Sequence, residues 1–337
     1  MNLNISMGGL GDQWMRLVAL YTAAKVTGLR YPRIAVAPPL MSIGGKVFGS
    51  KLDIGLAEGS EEIEFTVRGI RDLIAPICMG RRFASPYARI VIRDNPNHFW
   101  KNTLNETIYR ALDFLQLVQV PPWNCLHLYQ GYVELVTLRK FRDISYDDYL
   151  KQSAEDYPEL MKAMDDIGSR GQNDFASGTV DGKTIVFPSG SSMQFMPAWW
   201  AARNMPQALF AFHANDGDSD SYCKAGLQTV TYETAEEVVA LARNAQWCYA
   251  TDSFPSHLVQ FTTSKATILL TEKPGSMDVH PMFGGKTIES TMNCSPCLKI
   301  VRTPGSTCQA GYGECHTWKN PQYATLALEG REPSLLS

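Results

Sequence analysis

Nowhere in these 337 residues does an apolar run reach the roughly 18 residues that a membrane span requires. No helix with a membrane-docking face is recognisable either. The N-terminus carries no basic residue before Arg16, so it lacks the pattern of a signal peptide. These absences lead to the expectation of a cytoplasmic protein whose thiols stay reduced. An excess of positive charge is also missing. The 31 Lys and Arg residues face 34 Asp and Glu residues, a net charge of −3, which gives no general attraction to nucleic acid. A local basic groove remains compatible with that balance, because net charge says nothing about distribution. No repeat of short fixed period is present. What is there is ordinary globular material, with 45% hydrophobic and 19% charged residues. The length exceeds what one core usually serves and points to two domains.

The order of elements reads as α/β. Leu3, Ile5 and Met7 alternate as in a strand, and Trp14, Leu17, Val18 and Tyr21 then fall on one helical face. Residues 33–37 and 88–93 read as strands, and 105–118 as a helix stopped by Pro121-Pro122. Strand, turn, helix and strand in that order make the βαβ pattern of a parallel sheet. Residues 140–182 are rich in acids and end in Gly, Ser and Asn, the mark of a peripheral helix and a linker. A second alternating series follows. Strands are expected at 184–187, 209–213, 247–250 and 266–270, and helices at 198–204, 234–245 and 257–262. Thr234 and Glu237 form a capping-box pair.

Three turns have the chemistry of a phosphate site. Gly8-Gly9-Leu10-Gly11-Asp12 follows the first strand, where glycine lets backbone approach a ligand closely. Asp12 is either a general base at the carboxyl end of a parallel sheet or an N-cap on a tight turn. The full G-x-G-x-x-G spacing fails at Trp14, which argues against a dinucleotide site. Pro188-Ser189-Gly190-Ser191-Ser192 follows a strand and is either a phosphate loop or a plain Ser/Gly loop. Asp252-Ser253-Phe254-Pro255-Ser256-His257 joins a strand to a helix and combines an acid, two hydroxyls and an imidazole. His257 either donates to a diphosphate or packs. Met193, Phe195, Met196, Trp199 and Trp200 read as core, the alternative being one exposed aromatic that stacks on a base or sugar ring. Asp216, Asp218 and Asp220 alternate like calcium ligands, but the twelfth position is Leu227, so this stretch reads as a solvated loop.

Four of the eight cysteines fall within 22 residues: Cys294, Cys297, Cys308 and Cys315. They lie among Gly, Pro and Thr, where little core is available. A C-x-x-C knuckle with two further thiols suits a tetrahedral structural zinc or iron site. Free thiols and disulfides are the other readings. Cys78, Cys125, Cys223 and Cys248 are scattered, as core or surface cysteines are.

Taken in order, Gly9-Leu10-Gly11-Asp12, Pro188-Ser189-Gly190-Ser191 with Met196-Pro197, the 252–257 turn, and Cys294-Ser295-Pro296-Cys297 carry a family likeness. The chain resembles the lipopolysaccharide heptosyltransferases, the ninth family of glycosyltransferases. The resemblance implies a GT-B fold, with two Rossmann-like doubly wound domains and the active site in the cleft. Residues 1–175 would form the acceptor domain and residues 176–337 the nucleotide-sugar donor domain, with a Cys-rich segment at 294–316. It also implies an inverting, metal-independent transfer from a nucleotide-diphosphate sugar to a glycan, protein or modified-DNA acceptor. Asp12 would be the base. Gly9, Gly11, Ser189, Gly190, Ser191, Gln194, Asp252, Ser253, Ser256 and His257 would bind the donor. Glu233 and Glu237 lie near the place of the family's ribose-binding acid. Three departures bear on the donor: Gln194 stands where the family has lysine, Phe254 where it has glycine, and Trp is missing before Pro197. Lys273 or Arg16 are the candidates for the missing cation. The transferred sugar would be a hexose, heptose or pentose; competing readings are a DNA-modifying glycosyltransferase acting on a hydroxylated viral nucleobase, and an inactive nucleotide- or partner-binding module. A nicotinamide-dependent epimerase is a third, but its Tyr21-x-x-x-Lys25 pair lies too early, on the first helix.

Overall fold

A computed structural model describes residues 3–4, 9–28, 33–56, 146–171, 180, 182–188, 195–271, 275–292 and 315–329. The expected strand at 88–93 and helix at 105–118 lie outside them. The chain divides into two compact units, Met1–Leu160 with Ser276–Met282, and Met161–Gly275 with Phe283–Ser337.

The first unit holds a parallel three-stranded sheet in the order β1 (Leu3–Asn4), β2 (Ile34–Val36), β3 (Ile54–Leu56). Helix α1 (Leu10–Thr27) joins β1 to β2, and α2 (Pro38–Phe48) joins β2 to β3. The expected apolar stripe of α1 is buried, with Trp14 and Leu17 at 0% exposure, but Gln13 and Arg16 are enclosed as well. This helix is therefore covered around most of its circumference. Phe48 at the end of α2 packs against the rings of Trp14 and Tyr21. The glycine pair inside α2 has a packing reason at Gly44. A Cβ there would meet Leu17 Cδ1 at 3.3 Å and Ile54 Cδ1 at 3.4 Å, so glycine lets α2 lie close to both α1 and β3.

Helix α3 (Tyr146–Gly171) is the expected acidic helix. On it, Asp156 is almost fully enclosed and accepts a 3.0 Å contact from Lys25 of α1. The Lys25 ammonium also donates to Glu159, as does the Tyr21 hydroxyl. Burial alone would lower the Lys25 pKa, but hydrogen bonds to Glu159 and Asp156 override it and hold the group above the usual lysine range. The Tyr21-x-x-x-Lys25 pair thus anchors helix to helix, which accounts for it without redox chemistry.

The second unit is a six-stranded parallel sheet: β4 (Thr184–Phe187), β5 (Leu209–His213), β6 (Gln228–Tyr232), β7 (Trp247–Thr251), β8 (Ala266–Leu270) and β9 (Lys286–Glu289). Their spatial order is β6-β5-β4-β7-β8-β9. Relative to the first strand this is 3-2-1-4-5-6, the doubly wound mononucleotide order. The inner strands β4 and β8 are buried at every position, as a sheet covered on both faces requires.

Helices α4 (Ala198–Asn204), α5 (Ser219–Lys224), α6 (Ala235–Asn244) and α7 (Phe254–Val259) connect the strands. After them come α8 (Gly275–Asp278), a 3-10 turn at His316–Lys319 and α9 (Pro321–Leu328). Trp200, Tyr222, Phe210, Phe212, Trp318 and Tyr323 form the main core on one face. Helix α6 starts on the expected Thr234–Glu237 box, with Glu237 N–H donating to Thr234 Oγ1 at 3.2 Å and Thr234 N–H to Glu237 Oε2 at 3.0 Å.

Two expectations need correction. The helix expected at 257–262 begins at Phe254 and ends at Val259, because Ser253 caps it and Pro255 sits in its first turn. The 216–220 stretch is not wholly loop: Asp218 is the N-cap of α5 and Asp220 lies in its first turn, where the helix dipole favours acids. Among the described residues, no helix is long and apolar enough to cross a membrane.

Candidate active site

In the first unit, Gly9 is the N-cap of α1 and Asp12 occupies its third helical position. Asp12 Oδ2 accepts the Gly9 N–H at 3.1 Å. Gly9 has no side chain to return the bond, so only the carboxylate half of a reciprocal cap exists. A carboxylate has about four lone-pair sites, so a cap by one oxygen of the half-buried Asp12 is compatible with a second role for the group. Both sequence readings of Asp12, cap and base, are thus compatible in one side chain. The neighbouring Gln13 fixes the corner: its Oε1 accepts the Ala37 N–H at 3.0 Å, tying the first turn of α1 to the end of β2. Of the two candidate replacement cations, Arg16 is 4% exposed on α1 and Lys273 lies outside the described residues.

In the second unit the strand order decides the geometry. β4 and β7 are adjacent, with Phe187 paired to Ala250. The chain leaves one toward α4 and the other toward α7, so this is the switch point at which doubly wound sheets bind ligands. The turns after both strands, 188–192 and 252–257, therefore start side by side. Thr251 Oγ1 donates to Phe187 O at 3.5 Å across the two strand ends. Ser189, Gly190, Ser191 and Gln194 lie outside the described residues. The base of their loop is described: Met196 N–H donates to Pro188 O at 2.9 Å, and the buried Tyr222 hydroxyl donates to Met196 O.

The 252–257 turn is enclosed, with Asp252 at 5% and His257 at 3% exposure. His257 Nε2 lies 4.0 Å from Asp252 Oδ1. Ser253 Oγ donates to Thr251 O at 3.0 Å, and Ser256 Oγ donates to Ser253 O at 2.7 Å while accepting the Ser253 N–H at 3.3 Å. Each hydroxyl has a single proton, and both protons serve backbone carbonyls. Through these bonds the two serines expected to bind the donor shape the turn. Glu237, a candidate ribose ligand, is likewise engaged by the N–H groups of Glu233 and Thr234. Glu233 is exposed beside it.

The carboxyl edge carries two residues that motif reading passes over, because they belong to no motif. His213 ends β5 and Tyr232 ends β6, paired in register with ring centroids 5.7 Å apart. Tyr232 also packs edge-on against Phe187, at 6.0 Å. Burial, and after it the charge of Asp216, pushes the Tyr232 phenol well up, so it stays protonated. Position at a strand end was the only signal that marked either residue.

Of the aromatic group after the loop, Met196 and Trp200 are core while Trp199 is 42% exposed. Among the metal candidates, Cys294, Cys297 and Cys308 lie outside the described residues; Cys315 is partly buried and stands at the N-cap position of the 3-10 turn. Among the described residues, no three His, Cys, Asp or Glu side chains cluster as metal ligands would. Cys223 is exposed and Cys248 buried, as scattered cysteines are.

No family model and no curated protein matches the chain. Solved structures do. A glycosyl transferase family 9 structure from Veillonella parvula aligns with 97% of this chain and 95% of its own, at 10% identity and a TM-score of 0.53. The ADP-heptose LPS heptosyltransferase II of E. coli aligns over 88% of this chain and 91% of that chain, at 12% identity and a TM-score of 0.49. At such identity the Veillonella likeness establishes the fold: parallel α/β, as expected from the sequence.

Proposed function

We propose that this chain is an inverting glycosyltransferase that moves a sugar from a nucleotide diphosphate to an acceptor hydroxyl. The observation that carries the proposal is the 3-2-1-4-5-6 sheet, whose switch point sets the 252–257 turn beside the end of β4. The fold shared with a family 9 glycosyl transferase and the Gly9-Leu10-Gly11-Asp12 turn support it. In the proposed reaction Asp12 removes the acceptor hydroxyl proton and the freed oxygen attacks the anomeric carbon. The bond from that carbon to the diphosphate breaks on the opposite face, and its electron pair leaves on the phosphate oxygen. The Asp252 carboxylate suits sugar hydroxyls, which donate, better than an anionic diphosphate, which repels it. His257, with a ring N–H, suits the diphosphate. The roles of residues 1–175 as acceptor side and 176–337 as donor side belong to this proposal. So do a cytoplasmic location, independence of a catalytic metal, and a glycan, protein or modified-DNA acceptor.

The test is a melting-temperature screen against UDP, GDP, ADP, CDP and their sugars. A ligand that binds only folded protein at 100 times its Kd contributes about 2.7 kcal/mol, which raises the melting point measurably. A rise with one base and no rise with the free sugar is expected. No response to any of these nucleotides at millimolar concentration would remove the donor reading.

A structural zinc or iron held by Cys294, Cys297, Cys308 and Cys315 is part of the same proposal. Elemental analysis of protein purified without chelators should give about one metal per chain, with Cys294→Ser reducing it and lowering thermal stability. Metal-free protein of unchanged stability would refute the site.

A further inference from the structure

Resting on the donor reading above, we infer that His213 is the residue of this chain that reads the nucleoside of the donor. It does so as a hydrogen-bond donor through Nε2.

The argument starts from the sheet. In the doubly wound order the nucleoside lies along the carboxyl ends of the strands on the first-strand side of the switch point, and the second strand's end usually supplies an acid to the ribose hydroxyls. Here the second strand is β5, and it ends in a histidine rather than an acid. Side chains alternate along strands, so the register pairs Ile185↔Leu209↔Gln228 and His213↔Tyr232 place Phe187, His213 and Tyr232 on one face of the sheet. The three rings run from the switch point outward along that edge, with Tyr232 touching both others.

The histidine's chemistry is then fixed by its own backbone. His213 Nδ1 accepts the Asn215 N–H at 3.2 Å. A nitrogen that accepts cannot carry the proton, so in the neutral ring the proton is on Nε2. The edge contact with Tyr232 limits ring rotation, and the side chain is only half-buried. The residues that follow are small or short: Ala214 and Asn215 are exposed, and Gly217 beyond them has open space at its Cβ position. The strand end thus presents an oriented N–H donor on a half-buried side chain, beside neighbours in the 214–217 loop that are small or short. Such a donor selects an acceptor, a ribose oxygen or a base carbonyl or ring nitrogen, where the usual acid would select a hydroxyl. Asp216, three residues on, directs Oδ1 into the loop, where it accepts the Asp218 N–H.

The experiment compares the full-length protein with His213→Leu and His213→Gln by calorimetric titration, using UDP, GDP, ADP and CDP, with inorganic pyrophosphate as the probe without a nucleoside. Loss of one neutral hydrogen bond should weaken the preferred nucleoside diphosphate roughly 3–10-fold in His213→Leu. Pyrophosphate binding should not change. Glutamine, whose amide nitrogen reaches about as far as Nε2, should keep most of the nucleotide affinity. If wild-type protein binds none of the four nucleotides, the donor reading itself has failed. Should wild type bind one, and His213→Leu bind it equally well, only the role of His213 is overturned. An equal loss for nucleotide and pyrophosphate, or no recovery with glutamine, also overturns it, since either marks a structural effect.

Discussion

Asp12→Asn protein is expected to fold normally, to bind the nucleotide-sugar with unchanged affinity, and to lose about 10²–10⁴-fold in kcat, the usual range for a removed general base. Asparagine is the informative substitution because the two duties of Asp12 separate in it. The side-chain oxygen that accepts the Gly9 N–H is retained, so the helix cap survives. The ability to take a proton at neutral pH is lost. Asp12→Ala removes both, and should cost in addition about 1 kcal/mol of stability, the size of a helix-capping interaction. Rate and melting temperature together therefore discriminate. A rate collapse in both variants, with a stability loss in alanine alone, is the signature of a base that also caps. Full activity in Asp12→Asn would show that the carboxylate is only a cap, and the catalytic assignment would be withdrawn.

How far the sequence reveals this molecule depends on which physical signal each element carries. β4, α4, β5 and β8 fall at the expected residues, because apolar runs bounded by Gly, Pro and polar residues leave few alternatives. α6 is legible from its place in the alternating series and from the capping box at its start. β6 (Gln228–Tyr232) was not, because an edge strand is half-exposed and its Thr-rich sequence lacks the run of its buried neighbours. α2 was hidden by its glycine pair and by two prolines at its start, which are permitted in a first helical turn. α7 starts three residues before the expected helix, because Ser253 stands at its N-cap with its N–H taken by Ser256 Oγ, a bond the apolar pattern does not reveal. The site divides the same way. The 252–257 turn was visible as chemistry, but the inward direction of both serine hydroxyls was not, since that depends on where Thr251 O and Ser253 O point. His213 carries no motif, and its place follows only from strand order, which is a tertiary property.

The largest effect on stability is expected at Trp200, and its neighbour supplies the control. Trp200 is 1% exposed, packed edge-on against Trp318 at 5.1 Å, within the cluster that includes Tyr222, Phe210 and Tyr323. Trp200→Ala removes the whole indole from a core that cannot fully collapse around the gap, at a cost of about 3–5 kcal/mol. Trp199 is 42% exposed, and Trp199→Ala should stay within about 0.5 kcal/mol unless that ring has a binding role. The cost at Trp200 should also reach the ligand site, because α4 follows directly on the loop that Met196 closes at Pro188 O. Trp200→Phe separates volume from polarity. The Trp200 indole N–H has no hydrogen-bond partner among the described residues, so phenylalanine keeps most of the packing while relieving a buried donor. The expected order of stability, by urea unfolding followed by circular dichroism, is wild type, then phenylalanine, then alanine well below both. Nucleotide affinity should fall in the same order. Equal losses at Trp199 and Trp200 would show that the core does not lie on the face of the sheet to which Trp200 assigns it.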